Sequence, residues 1–375
     1  MSVDTDVAVV GLGAMGSMTL WRLAERGVAA VGFDRFEPPH ELGSSHGESR
    51  IIRTAYAEGA FYVPLLQAAF ALWRELERAG NAELLTVTGA LMIGPADGEI
   101  VSGTLASARA HGLEHRVFER EEAAARYPQH VLEYGDAVVW DAQAGLLRPE
   151  LCIAAALDAA QARGATVNRS TAVLSLDAGD DAVSLHLADG SSLRAGHCVV
   201  AAGAWTGELI PSLAPRLTVE RQVLAWFELD DPSAFEPQRF PVFVRELAGG
   251  RIRYGLPSLD DETIKLAVHH EGRRAYPDSL DRNVTPSDLA PLQEFAARRL
   301  RGVWSRCRRS VVCMYTNTPD EHFLLGSPAG QERITVAGGC SGHSFKFASV
   351  FGDIAADLAT TGRTQRDISA FRLDR

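Results

Sequence analysis

The chain has no CxxC pair, no apolar run long enough to span a membrane and no surplus of positive charge, and each absence narrows what it can do. Its five cysteines, Cys152, Cys198, Cys307, Cys313 and Cys340, are odd in number and widely spaced, which argues against both a disulfide framework and a zinc site. A reduced, cytoplasmic protein without a metal is expected. The opening "MSVDTDVAVVGLGAMG" carries two aspartates and no basic leader region, so secretion and membrane insertion are not expected. Lys and Arg number 37 against 48 Asp and Glu, a net charge of −11, which argues against nucleic acid or an anionic membrane as the main partner. Small anionic substrates stay open, because they respond to local charge.

What is present begins with size: 375 residues, 46% hydrophobic, exceed a usual single core and predict two domains or one domain with another embedded in it. Residues 5 to 10, "TDVAVV", have the pattern of a buried parallel strand. Gly11, Gly13 and Gly16 follow in the GxGxxG arrangement, then a helix-like stretch from Ala14 to Arg26 with Met15, Met18 and Leu23 on one side. Gly27 is placed to end that helix and "VAAVGFD" to supply a second strand. Gly11 would make the tight turn, Gly13 would let the backbone approach a pyrophosphate, and Gly16 would permit close packing of helix on strand. Asp34, at the end of the second strand, is placed to accept hydrogen bonds from a ribose, which favours FAD or NAD over NADP.

The choice between FAD and NAD rests on distant segments. Residues 170 to 210 alternate as strands and end in Ala202-Gly203-Ala204-Trp205, and near the C-terminus Gly338, Gly339 and Gly342 lie between another strand and an amphipathic helix. A nicotinamide site usually draws on one contiguous half of a chain. Glycine turns this scattered favour the longer FAD, which folds back under a second domain.

Between the first unit and a helix over residues 64 to 80 lies "GSSHGESRIIRTAYAEG", which shows no amphipathic pattern and holds His46, Arg50, Arg53 and Tyr56. Loops at strand ends are where α/β proteins keep their ligands, although one arginine could simply pair with Glu48 or Glu58. In "TIKLAVH", Lys265, Ala267 and His269 project to one face with period two, so the lysine and the histidine could share a cavity wall. A strand lysine is also common on a solvated face, and Tyr254 nearby could be a core residue. Cys313 closes the apolar run of "RRSVVCMYTNTPDEHFLLG"; by itself it could be no more than a small buried hydrophobe.

Together these stretches resemble one family. From "VAVVGLGAMGS" through "DRFEPPHELGSSHGESRIIRTAYAEG", "YGLPS", "KLAVHH" and "CMYTNTPDEHF" to "GGCSGHSFKF", nearly the whole chain resembles the monomeric sarcosine oxidase and N-methyltryptophan oxidase family of FAD-dependent amine oxidases. The resemblance implies an α/β fold, a Rossmann-like FAD-binding domain (residues 1–90, 146–216 and 320–375) with a second, mixed-sheet substrate domain (91–145 and 217–319). It implies covalent attachment of FAD through Cys313, with His46 and Arg50 next to the flavin ring and Ser49, Val173, Gly203 and Gly342 as further cofactor contacts. It assigns Arg53 and Lys346 to the substrate carboxylate and Tyr56 and Tyr254 to the flanks of the amine. His269 becomes an active-site histidine, Lys265 the residue that promotes reaction with oxygen, and Tyr315, Gly342 and Val244 parts of the cavity wall. A fork and a point charge suit a carboxylate, and a fixed cation suits oxygen activation.

The expected reaction is oxidation of an N-methyl amino acid to the demethylated amino acid, formaldehyde and hydrogen peroxide, with oxygen as acceptor and a monomeric enzyme. Cys340 stands where relatives commonly have phenylalanine, Ser344 replaces glycine in the usual "SGHGFK", and Val244 stands near a methionine of sarcosine-specific enzymes. The smaller side chains at positions 340 and 244 would enlarge a pocket they line, so larger N-methyl or cyclic secondary amino acids are expected to be accepted. The rival readings are a cyclic-amine oxidase that releases no formaldehyde, an NAD-dependent dehydrogenase, and a flavin-binding protein that has lost catalysis.

Overall fold

Apolar residues without polar alternation make Thr5–Val10 a strand buried on both faces, and it becomes the centre of the first sheet. The computed structural model describes residues 3–375. Thr5–Val10 pairs in parallel with Ala30–Phe33 on one side and Ser192–Val200 on the other. Ser192–Val200 in turn carries Val183–Leu187 antiparallel along its first half and Ile334–Gly338 parallel along its second. Eight strands join in this sheet, drawn from residues 5–33, 166–200 and 324–338.

Helices Ala14–Glu25, Pro149–Gln161 and Ala348–Thr361 cover one face. The first of them is buried nearly all round, beyond the one side marked by Met15, Met18 and Leu23. Its polar residues tolerate this because Ser17 donates to the carbonyl of Gly13 and Thr19 to that of Met15, so neither hydroxyl is left unpaired. Helix Ala348–Thr361 comes close because it presents Gly352, where a Cβ would sit 2.5 Å from Met18.

The second sheet has nine strands from residues 90–141 and 218–317. It is mixed: Val242–Leu247 runs parallel to Ala90–Pro95 and antiparallel to Arg251–Leu256. Strand Thr218–Leu229 lies between Thr263–His269 and the long strand Val303–Asn317. Helix Pro286–Arg299, started by a capping box of Thr285 and Asp288, packs its Leu292, Phe295 and Ala296 into an apolar layer with Phe227, Phe243 and Leu266. Arg50–Ile52, expected as loop, is a short strand joined to Gly145–Leu147 and Leu85–Val87 in a third sheet. Among the described residues no helix is long and apolar enough to cross a membrane, and no group of three His, Cys, Asp or Glu side chains could hold a metal ion.

Candidate active site

Gly11 adopts φ +88°, and a Cβ there would lie 2.5 Å from the carbonyl oxygen of Ala201. Gly16 backs onto the same turn: its Cβ would fall 1.7 Å from the oxygen of Gly11, so the close contact is with the turn itself. Gly13 instead lines open space, with only Ser45 Oγ within 4 Å of where its Cβ would be. Asp34 is buried at the end of the second strand; Oδ2 accepts from the Leu12 amide at 2.8 Å and Oδ1 from Phe36 at 2.9 Å. Two clamped bonds fix the carboxylate and leave lone pairs for a ligand.

A cavity of about 640 Å³ runs from this turn to the inner face of the nine-stranded sheet. That volume is typical of a cofactor or ligand site. Its walls include Gly11, Gly13, Asp34, Val173 and Gly203 at one end. Arg50, Arg53, Val244, Tyr254, His269, Cys313, Tyr315, Gly342 and Lys346 line the rest. Gly16, His46, Ser49, Tyr56 and Lys265 lie behind the wall.

Cross-strand pairing explains the inner face. Val244 pairs with Tyr254, Tyr254 with Ala267, and Ala267 with Leu224, so these residues and their neighbours at period two share one side. His269 lies between two tyrosines: its ring meets that of Tyr315 edge-on at 5.7 Å and that of Tyr254 at 6.4 Å, and its Nδ1 lies 3.4 Å from the Tyr315 hydroxyl. Burial, then His270, holds His269 well below the usual imidazole range, so it is neutral. Gly342, at φ +76°, lies against Tyr315, whose ring a Cβ would meet at 2.4 Å.

Lys265 reaches this face as the alternation predicts, but its ammonium is capped by the carbonyls of Gly47 and Ser49 beneath the wall. Burial, then Arg50, pushes its pKa well below that of a free lysine. The carbonyls point inward because Glu150, in the first turn of its helix, accepts the amides of Gly47 (2.6 Å) and Glu48 (3.0 Å) and so fixes the loop. Arg50 donates to the carbonyls of Ser44 and Ser49, and its Nη2 lies 3.7 Å from Cys313 Sγ. His46 is buried beside Arg50 and Lys265 with neither ring nitrogen hydrogen-bonded. Burial, then Arg50, lowers its pKa to about 3.

Arg53 already has a partner: Nη2 lies 2.7 Å from both carboxylate oxygens of Glu58, and its guanidinium stacks 4.3 Å from the Tyr56 ring centroid. Glu58 resists ionising because it is buried, yet Arg53, with His343 and Lys346, outweighs that and lowers its pKa to about 2. Lys346 donates to the His343 carbonyl (2.6 Å) and the Tyr56 hydroxyl (3.3 Å), and that hydroxyl lies 2.6 Å from His343 Nδ1. Tyr56, expected beside a substrate amine, is thus a fully buried support for Lys346. Burial, then Arg53, lowers Lys346 to about 7. Sequence reasoning named Glu58 only as an acid one arginine might pair with, and did not single out His343; the "SGHSFK" stretch was the signal available for the latter.

The donor set fits FAD. A cradle open at Gly13, a clamped carboxylate at Asp34, an unpartnered imidazole at His46 and a thiol at Cys313 line or back one continuous space. Together with the sheet order, this defines a flavin-dependent oxidoreductase.

Comparison with known proteins gives the same class and a family. Residues 6–358 match the model of the FAD dependent oxidoreductase family, DAO. The chain is 39% identical over 380 residues to a monomeric sarcosine oxidase of Bacillus sp. (strain NS-129), covering 100% of this chain and 98% of that protein. It is 32% identical to N-methyl-L-tryptophan oxidase of Escherichia coli (strain K12 / DH10B), covering 99% of each. Among solved structures it is similar to NikD, described as an unusual amino acid oxidase essential for nikkomycin biosynthesis, in an open form, with a TM-score of 0.87, 25% identity and 99% and 98% coverage. The chain belongs to the FAD-dependent oxidoreductase family that includes monomeric sarcosine oxidases and N-methyl-L-tryptophan oxidases, and it is a flavin-dependent amine oxidase.

Glu58→Gln should lower the pKa of Lys346 below about 7, because Glu58 is the counter-charge that raises it. NMR of lysine-labelled protein across pH reads this out directly. An unchanged Lys346 titration would show that Glu58 does not set the charge there.

Proposed function

We propose that this enzyme oxidises N-methyl amino acids to the demethylated amino acid and formaldehyde, passing the electrons to oxygen to give hydrogen peroxide. The observation that carries the reading is that two basic residues, Arg53 and Lys346, line the same cavity as Tyr254, His269 and Tyr315. Two cations suit a carboxylate, and neutral aromatic groups suit an uncharged amine. FAD, when bound, supplies the two-electron acceptor.

The residues divide the work. Arg53, once released from Glu58, offers a planar fork, and Lys346 adds a point charge. Tyr254, His269 and Tyr315 flank the amine; His269 is neutral and can accept a hydrogen bond without repelling the substrate. Gly342 leaves room against Tyr315. Val244 and Cys340, read from the resemblance as smaller than the family's side chains, both line the cavity, which supports acceptance of N-methyl amino acids larger than N-methylglycine.

His46, Arg50, Ser49 and Lys265 form the flavin side, with Gly11, Gly13, Gly16, Asp34, Val173 and Gly203 toward the dinucleotide. Cys313 is the attachment point for FAD: its Sγ is in the wall and beside the Arg50 guanidinium. Lys265 promotes the reaction with oxygen. The reading assigns the first sheet to a cofactor domain (1–90, 146–216 and 320–375) and the second to a substrate domain (91–145 and 217–319). A cytoplasmic monomer is the working assembly.

Peroxide and formaldehyde assays against N-methylglycine, N-methyltryptophan and pipecolate test the reaction. Equal yields of both products from an N-methyl substrate are expected, whereas peroxide without formaldehyde from pipecolate alone would move the function to cyclic amines. Intact mass under denaturing conditions should show one FAD per chain in the wild type and none in Cys313→Ala; flavin retained by the denatured variant would refute the attachment site. Lys265→Met should slow the oxygen half-reaction by at least about tenfold more than the substrate half-reaction, on the order of an electrostatic contact's loss. Equal slowing of the two would remove its assigned role.

A further inference from the structure

The hydrogen bonds behind Lys346 have a fixed direction. The Glu321 carbonyl can only accept, and it lies 2.9 Å from His343 Nε2, so that nitrogen carries the hydrogen. Burial holds His343 down to about 3, so its Nδ1 is bare and must accept from the Tyr56 hydroxyl. Tyr56 has one hydrogen to give, and Lys346 is therefore the donor in their 3.3 Å contact. The second donation of Lys346 goes to the His343 carbonyl.

Two donations are what a neutral amine can make, and they leave its lone pair unused. Lys346 is buried yet lines the cavity, and among the described residues no third acceptor is placed on Nζ. The groups that face it are Arg53 and Arg50, Glu58, His269, and its own supports Tyr56 and His343. Glu58 is ion-paired with Arg53 and reaches Lys346 only at longer range, so an ammonium at position 346 would be a buried charge with no ion-pair partner of its own.

We infer that Lys346 enters the ligand-free site as a neutral amine and takes the ammonium proton of the incoming amino acid, so that it becomes the cation that holds the carboxylate. The inference rests on the N-methyl amino acid reading above. An amino acid carries ammonium and carboxylate on one carbon skeleton, so a group docked on one is within direct or one-water reach of the other. One N–H bond of the ammonium breaks, one N–H bond to Nζ forms, and the electron pair of the broken bond stays on the substrate nitrogen. Zwitterion plus amine becomes aminocarboxylate plus ammonium, and the dry site's net charge does not change. The substrate is left as the uncharged amine from which a C–H bond can be oxidised.

A carboxylate that brings no proton must draw one from solvent. Methoxyacetate is the oxygen isostere of N-methylglycine and has no ammonium. Its binding to the flavin-loaded enzyme is followed by titration calorimetry in buffers of different ionisation enthalpy, which counts protons. Uptake of about one proton per site is expected at pH 8.5, falling towards zero at pH 6, where Lys346 is already charged. Lys346→Arg, which cannot deprotonate, should bind methoxyacetate with no uptake at either pH. Binding without uptake by the wild type at pH 8.5 would overturn the inference and leave the substrate reading standing. Uptake that persists in Lys346→Arg would assign the proton to Glu58 as Arg53 leaves it, and would also overturn it. No binding at all would overturn the carboxylate reading itself and the inference with it.

Discussion

Basic side chains buried without matching carboxylates are the constraint on which this site depends. Arg50, Lys265 and Lys346 are wholly or partly buried, and each is held by neutral oxygens: Ser44 and Ser49, Gly47 and Ser49, His343 and Tyr56. Only Arg53 of the four has a carboxylate at ion-pair distance. Capping a buried basic group with dipoles alone costs its charged form on the order of several kcal/mol. This lowers Lys265 and Lys346 toward the neutral amine, and the fold limits the cost at the loop by clamping it with Glu150 and turning carbonyls inward. A site so built favours ligands that bring negative charge. The long strand Val303–Asn317 adds the thiol of Cys313 to the same wall.

Much of the dinucleotide end was legible in the sequence, because the turn's requirements fall on single residues. Gly11 needs positive φ, Gly16 needs the absence of a Cβ, and Asp34 needs only to end a strand; each leaves its mark locally. The resemblance to N-methyl amino acid oxidases then named the remaining wall residues, and the cavity gathers most of them. Period two placed Lys265 and His269 on the right face, but it says nothing of how far a side chain reaches or what caps it. That is why Lys265 was expected in the cavity and lies beneath it.

The end around Arg53 and Lys346 was harder because its pairings form across turns. Arg53 and Glu58 are five residues apart, a separation at which sequence alone does not tell a surface pair from a cavity pair. His343 falls inside a glycine turn and owes its tautomer to a carbonyl on another segment, that of Glu321. Tyr56 was placed against a substrate by resemblance and stands behind Lys346 in the structure. Arg50–Ile52 lacked a strand signal of its own because three residues at a sheet edge carry no periodicity.

Anaerobic addition of N-methylglycine and N-methyltryptophan to the purified flavin-loaded protein, followed by the flavin's visible absorbance, tests the central claim most directly. The account predicts bleaching by stoichiometric amounts of at least one N-methyl amino acid and its return on admitting oxygen. Absorbance left unchanged by both, in a protein that holds FAD, would contradict it.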